Sequence, residues 1–191
     1  MNKAGDENRS VRNTKARLRA SMLSLIQQKP VKEITVKELC DLANINRGTF
    51  YFHYSDIYGL LSAMEDDFFT EFDKVSNSQI KMGGAYEYLM AIFGFLGANA
   101  EFCRAFLGPN GDSTFVERVK SLVDTKCSMF WRSAAPQGSQ ERFALYNAFI
   151  INGCVGVIQR WLEEGMRETP EEIAQLIATI VSSSALATIS Q

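Results

Sequence analysis

Between Asn46 and His53 the chain reads Asn-Arg-Gly-Thr-Phe-Tyr-Phe-His, a run of hydrogen-bonding groups with no bond-making partner among them. Arginine can donate in parallel to O6 and N7 of guanine, and a threonine methyl can pack on the methyl of thymine. Arg47 and Thr49 are therefore the candidates for reading base edges. Tyr51 and His53 each join a polar tip to a body that packing can anchor, which suits them to phosphate oxygens. Gly48 falls inside an expected helix, where it costs roughly 1 kcal/mol against alanine; close approach to DNA or to the preceding helix would account for it. His53 is the chain's one histidine. Without it no Ser–His–acid, Cys–His or Glu–His grouping can be assembled, so no catalytic residue is assigned and an enzyme is not expected. The four cysteines, Cys40, Cys103, Cys127 and Cys154, are widely spaced among apolar neighbours and read as reduced thiols of a core or pocket wall. Neither a metal site nor a cofactor is expected.

Such side chains act together only if the backbone holds them out together, and residues 35–54 carry the signals for that. Thr35 and Glu38 have the spacing of a capping box, and Val36, Leu39, Cys40 and Ala43 follow as one apolar stripe. Asn44 tolerates the left-handed conformation that a sharp turn demands. Ile45 then plugs the angle between two helices, and Asn46 caps the second. The pattern predicts a helix-turn-helix whose second helix is small enough to enter a major groove. Thr35 also opens a helix N-terminus, which attracts phosphate, and Lys37 stands two residues on. Upstream, helical patterning is expected from Thr14, with Ala16, Leu18, Met22, Leu25 and Ile26 on the apolar face and Lys15 and Arg17 available to a DNA backbone. Pro30 ends that helix, and residues 1–13 read as a mobile tail. Residues 1–60 hold ten Lys or Arg against six Asp or Glu, whereas residues 61–191 hold ten against sixteen. Although the net charge is -2, this asymmetry suits a phosphate-facing N-terminal end and an acidic remainder held off DNA.

The remaining length predicts a helical body. Ser55 or Asp56 caps a long helix with Ile57, Leu60, Leu61, Met64, Phe68 and Phe72 at helical spacing, which leaves the first module and enters the second. A linker is expected over 76–84, helices over 85–96, 99–107, 115–131, 142–164 and 170–188, and turns at 108–113 and 134–139. Gly165 reads as the residue just past a helix end. Thr169-Pro170-Glu171-Glu172 combines an N-cap, a first-turn proline and a reciprocal glutamate. The fold class is all-α with about nine helices. Residues 1–56 form the tail and a three-helix DNA-binding domain, and residues 57–191 a helical effector-binding and dimerisation domain. Phe93, Phe102, Cys103, Phe106, Cys127 and Trp131 read first of all as core and, in a regulator-like body, as the wall of an apolar effector pocket. The last two helices are apolar on more than one face, which predicts a four-helix bundle with a second copy across a two-fold axis. The apolar stretches are too short to span a bilayer and the first ten residues are polar, so a cytoplasmic protein without membrane contact is expected.

Residues 14–61 resemble the N-terminal region of the TetR family of bacterial transcriptional regulators. The family opens its second helix with Thr, turns at Ala-Gly-Val, and continues with a Ser-x-Gly-x-hydrophobic-Tyr recognition helix. An aromatic-His-Phe segment and a Lys at the start of the fourth helix follow. Here those positions are Thr35, Ala43-Asn44-Ile45, Asn46 to Tyr51, Phe52-His53-Tyr54 and Ile57. The stretch Trp161 to Glu172 resembles the C-terminal bodies of a subgroup common in Gram-positive bacteria. The resemblance implies an effector-responsive repressor that binds a palindromic DNA operator as a homodimer. An activator, or a helical adaptor that has kept the fold and lost DNA binding, are the alternatives. Three departures bear on this. Asn44 replaces Gly at slight strain, and Tyr54 replaces Phe and adds a hydroxyl expected to reach solvent. Ile57 removes a cation that in the family lies near the DNA backbone.

Overall fold

Burial follows the spacing of the apolar residues along the first and fourth helices, except that Ala16, expected on the apolar face, is exposed. The computed structural model describes residues 3–80, 85–134 and 140–189, and these form nine α-helices and one turn of 3₁₀ helix, with no strand among the described residues. Helix α1 (Lys3–Gln28) buries Leu18, Met22, Leu25 and Ile26. Pro30 then diverts the chain through the short turn Val31–Glu33. Helix α2 (Val36–Ala43) packs on α1 and α3 (Arg47–His53) packs on α2, burying Leu39, Cys40, Ala43 and Phe50. Helix α4 (Ile57–Ile80) is capped by Asp56, whose Oδ1 accepts the Gly59 N–H at 2.7 Å. It buries Ile57, Leu60, Leu61, Met64, Phe68, Phe69 and Phe72.

The same core continues into the rest of the chain. Helix α5 (Ala85–Ala98) lies on α4 and on α9 (Pro170–Ile189). After an 87° bend at Asn99, α6 (Ala100–Leu107) touches α1, α7 (Ser113–Ala134) and α8 (Gln140–Glu163). Rings fill the centre. Phe68 stacks on Phe102 at 4.6 Å, Phe102 on Phe106 at 4.0 Å, and Phe115 meets them edge-on at 5.6 Å and 5.1 Å. The α6–α1 contact ties the N-terminal helices to the body without relying on α4 alone. Among the described residues no single helix is long and apolar enough to cross a membrane.

Several ends were foreseeable and are found. Gly165 has φ 81°, and the Thr169–Glu172 box is reciprocal. Thr169 N–H donates to Glu172 Oε2 at 2.7 Å, and Glu172 N–H to Thr169 Oγ1 at 3.2 Å. Two boundaries differ. Helix α1 starts at Lys3 rather than Thr14, so most of the expected mobile tail is helical. Residues 3–13 contain no proline to stop a helix, and too few apolar residues to mark a face. Helix α4 runs to Ile80, through the first part of the expected linker, because Ser76 is fully buried and its hydroxyl pairs with Tyr88 Oη at 3.2 Å. The remaining linker positions 81–84, and residues 135–139 of the last expected turn, lie outside the described residues.

Candidate nucleic-acid interface

Hydrogen bonds along the chain and from α1 together position α3. Thr35 Oγ1 accepts the Glu38 N–H at 3.2 Å and opens α2. The Glu38 carboxylate takes the Lys29 ammonium at 2.6 Å. That pairing holds its pKa below the ordinary carboxylate value against the opposing effect of burial, with a smaller contribution from the Thr35 N–H. Lys29 follows directly on α1, so the pair braces the first helix of the motif on the one before it.

The turn is as its residue types require. Asn44 has φ 49° and ψ 53°. Its N–H reaches Asp41 O at 3.2 Å and the Ile45 N–H reaches Cys40 O at 2.9 Å, which satisfies carbonyls left open at the end of α2. Arg17 donates to Asn44 O at 3.0 Å and fixes the same turn from α1. Asn46 Oδ1 then accepts the Gly48 N–H at 2.8 Å, the hydrogen bond of an N-cap. One face of α3 is pinned by Phe50, fully buried, whose ring meets Tyr51 at 5.4 Å and Tyr54 at 5.8 Å.

The opposite face is open. Arg47, Gly48, Thr49, Tyr51 and Phe52 are exposed and His53 is half-buried; Lys15, Arg17, Thr35, Lys37 and Asn46 are exposed around them. A Cβ on Gly48 would meet only Asn46 Oδ1, at 3.3 Å. The preceding helix therefore does not require a glycine at this position. Two outward residues escaped the sequence reading: Phe52, and Tyr58 at 55% exposed next to Ile57. The signal for Phe52 was present. Phe50 and Tyr54, four apart, define the buried side, so a residue midway between them points away from it.

Tyr54 corrects an expectation. Its hydroxyl does not reach solvent; the residue is buried, and its tip lies beside the Arg19 guanidinium. Arg19 itself pairs with Asp67 of α4. Burial lowers the pKa of Arg19, but Asp67 and Tyr54 outweigh it and the net shift is upward. The end of α3 is thereby fastened to both α1 and α4. Ile57 is buried as well, which makes it part of the core under the motif.

The residues assigned to an effector pocket divide between two packings. Phe93 meets Trp161 of α8 at 5.7 Å, while Phe102 and Phe106 stack within the aromatic centre; Cys103 is fully buried. The side chains of Cys127 and Trp131 lie outside the described residues. Burial pushes the Cys103 thiol up to about 12 and that of Cys154 to about 11, so both are protonated at neutral pH. Burial also raises Cys40, with Arg47 opposing. Among the described residues no group of three or more His, Cys, Asp or Glu side chains converges on one point.

A capped helix-turn-helix joined by a long helix to an all-α body is the architecture of a transcriptional regulator. Residues 85–183 match the family of transcriptional regulator C-terminal regions of TetR type, and the chain belongs to the TetR family of transcriptional regulators. Solved structures agree on the fold. The chain is similar to a TetR transcriptional regulator from Streptococcus agalactiae, at 23% identity and TM-score 0.68 over 93% of this chain and 98% of that one. The fatty acid degradation regulator FadR from Bacillus halodurans follows at 12% identity and TM-score 0.65, over 86% and 96%. DhaS, a dihydroxyacetone kinase operon activator, has 17% identity and TM-score 0.59, over 93% and 96%. No curated protein matches the sequence.

Proposed function

We propose that this regulator binds operator DNA as a homodimer through α3, and that an apolar effector bound in its helical body controls the affinity. The observation that carries the reading is the open face of α3. There Arg47, Thr49 and Tyr51 surround a glycine over which the chain places nothing but its own cap, at the end of the sequence with the cationic excess. In this reading Arg47 and Thr49 read bases; Tyr51, His53, Lys37, Lys15 and the N-termini opened by Thr35 and Asn46 hold phosphates. Arg17 positions the turn and adds charge, and Gly48 lets the backbone approach. Residues 1–56 are the DNA-binding domain, and residues 57–191 bind effector and partner.

Dimerisation is supported by Leu145 and Phe149 on α8 and by Leu176 and Ile180 on α9, all exposed. Paired with the same residues of a second copy, they would bury on the order of 1,000 Å² or more. A two-fold dimer implies a palindromic operator with half-sites at least one duplex turn apart. Repression by promoter occlusion is the simplest output. Activation is the second reading, favoured by the similarity in fold to an operon activator. A protein of this kind acts in the cytoplasm. The test is a gel shift with DNA upstream of the protein's own gene, with a reporter to give the sign of regulation. Retardation that unlabelled specific duplex competes away supports the reading, and its absence at every salt concentration tried favours the adaptor.

A further inference from the structure

Three consecutive acidic residues, Glu65, Asp66 and Asp67, lie on α4. Successive helical residues point about 100° apart, and these three are divided between arginines of two other helices. Asp67 takes Arg19 of α1, which also reaches Ala63 O at 3.5 Å and lies beside the Tyr54 hydroxyl at the end of α3. Asp66 takes Arg118 of α7 at 2.9 Å, and Glu65 stands 3.9 Å from the same guanidinium. An exposed ion pair such as Arg118–Asp66 is worth little by itself. Here the guanidinium also lies over the ring of the buried Phe69, 4.1 Å from its centre, an arrangement that favours arginine. Glu65 is buried too. Burial and the neighbouring Asp112 raise its carboxyl above the ordinary 4.5, Arg118 opposes them, and Asp66 adds a smaller upward push. Arg118 therefore serves as the cation between Glu65 and Asp66 of α4 and Asp112 just before α7. Without its charge those carboxylates repel, and α4 is pushed from the start of α7. The contacts of Phe115 with Phe68 at 5.6 Å and Phe69 at 5.2 Å are then left to resist the repulsion.

We propose that Arg118 is a positioning residue for DNA binding. By tying α7 to α4 it sets the lie of α4, and through Asp67 and Arg19 the lie of α3 against the body. This rests on the reading above of a dimer on paired half-sites and adds to it a residue of the body. One base pair is about 3.4 Å of duplex, so a displacement of that order between the two copies of α3 changes which half-site spacing fits. The probe is a duplex selected by the full-length protein from a random-sequence pool, with two further duplexes whose half-sites stand one base pair closer or farther apart. Kd is measured by fluorescence anisotropy for wild type and variants, with melting temperature and sedimentation alongside. Arg118→Gln should bind the selected duplex about tenfold more weakly, within the usual range of coupling between sites, and lose its discrimination among the three spacings. Arg118→Lys, which keeps the charge, should recover part of both. Asp66 is exposed, so Asp66→Asn breaks the same bond at little risk to folding and should give a smaller change of the same kind. The double variant should match Arg118→Gln alone, because the two residues act through one contact. Lys120→Gln is the control: that lysine pairs with Glu117 of its own helix, and its loss should leave the spacing preference intact. A spacing preference unchanged in both Arg118→Gln and Asp66→Asn would overturn the proposal, whatever their melting temperatures. Full additivity in the double variant, or the same flattening in Lys120→Gln, would overturn it as well. A wild-type protein that selects no duplex, or one without paired half-sites, would instead overturn the dimeric DNA-binding reading, and this inference with it.

Discussion

The large apolar side chains exposed on α3 and those exposed on α8 and α9 have different surroundings. On α3, Tyr51 and Phe52 stand beside Arg47, Thr49 and a half-buried His53, and only Phe52 is wholly apolar. On α8 and α9, Leu145, Phe149, Leu176 and Ile180 are 76%, 68%, 50% and 43% exposed. Ala148, Asn152, Gly153 and Gly156 lie exposed beside them, and a Cβ at either glycine would meet nothing within 4 Å. Donors beside exposed rings suit a groove lined by phosphates and base edges. An apolar stripe with glycines suits close approach by another helix, and pairing with the same stripe of a second copy would need a two-fold axis. Exposure alone does not say what partner a surface awaits; its neighbours do.

The comparison breaks most easily at the second surface. Phe149→Glu puts like charges together across the expected two-fold axis, and sedimentation should then show a monomer. Specific DNA affinity should fall by about a hundredfold or more, because two half-sites can no longer be held by one linked pair of modules. A variant that sediments as wild type would move the subunit contact elsewhere. Arg47→Ala acts on the first surface. It should cost about 1–3 kcal/mol of specific affinity and relax the preference at one position per half-site, with sedimentation unchanged. A sequence preference that survives intact would remove Arg47 from the reading set.

What was legible in the sequence was chemistry that acts over three or four residues. The Thr35, Asn46 and Thr169 caps, the left-handed Asn44 and the turn at Gly165 all depend on neighbours along the chain, and all are found. What was not legible depends on distant partners. Ser76 reads as linker until Tyr88 buries it, and the Tyr54 hydroxyl reads as solvated until Arg19 meets it. The aromatic residues of the body carry no mark that sends Phe93 to Trp161 and Phe102 to Phe106. Asn44 offers a test of the legible kind. Asn44→Ala should destabilise by about 1 kcal/mol, the strain of a left-handed residue with an ordinary side chain, while Asn44→Gly should be neutral or slightly stabilising. Thermal unfolding checks both, and equal costs would mean that the asparagine side chain, and not its backbone, matters at the turn.

The smallest effect sharpens the contrast by pH. Glu38 titrates below its ordinary value of 4.5 in the folded protein, chiefly because of Lys29. Between the folded and unfolded values the unfolded chain binds more protons. The stabilisation is therefore complete above about pH 4.5 and lost as pH falls through the folded-state value. Leu145, Phe149, Leu176 and Ile180 carry no ionisable group, so this pair gives the N-terminal module an acid sensitivity that the α8–α9 surface lacks. The difference in melting temperature between wild type and Glu38→Gln isolates the pair from the other carboxylates. It should be largest near neutral pH, shrink with added salt because the pair is partly exposed, and vanish at the acid end of the window. A difference that stays constant across pH would assign the loss to the capping geometry of α2. Lys29 would then be a bystander, and the brace between α1 and α2 would rest on packing alone.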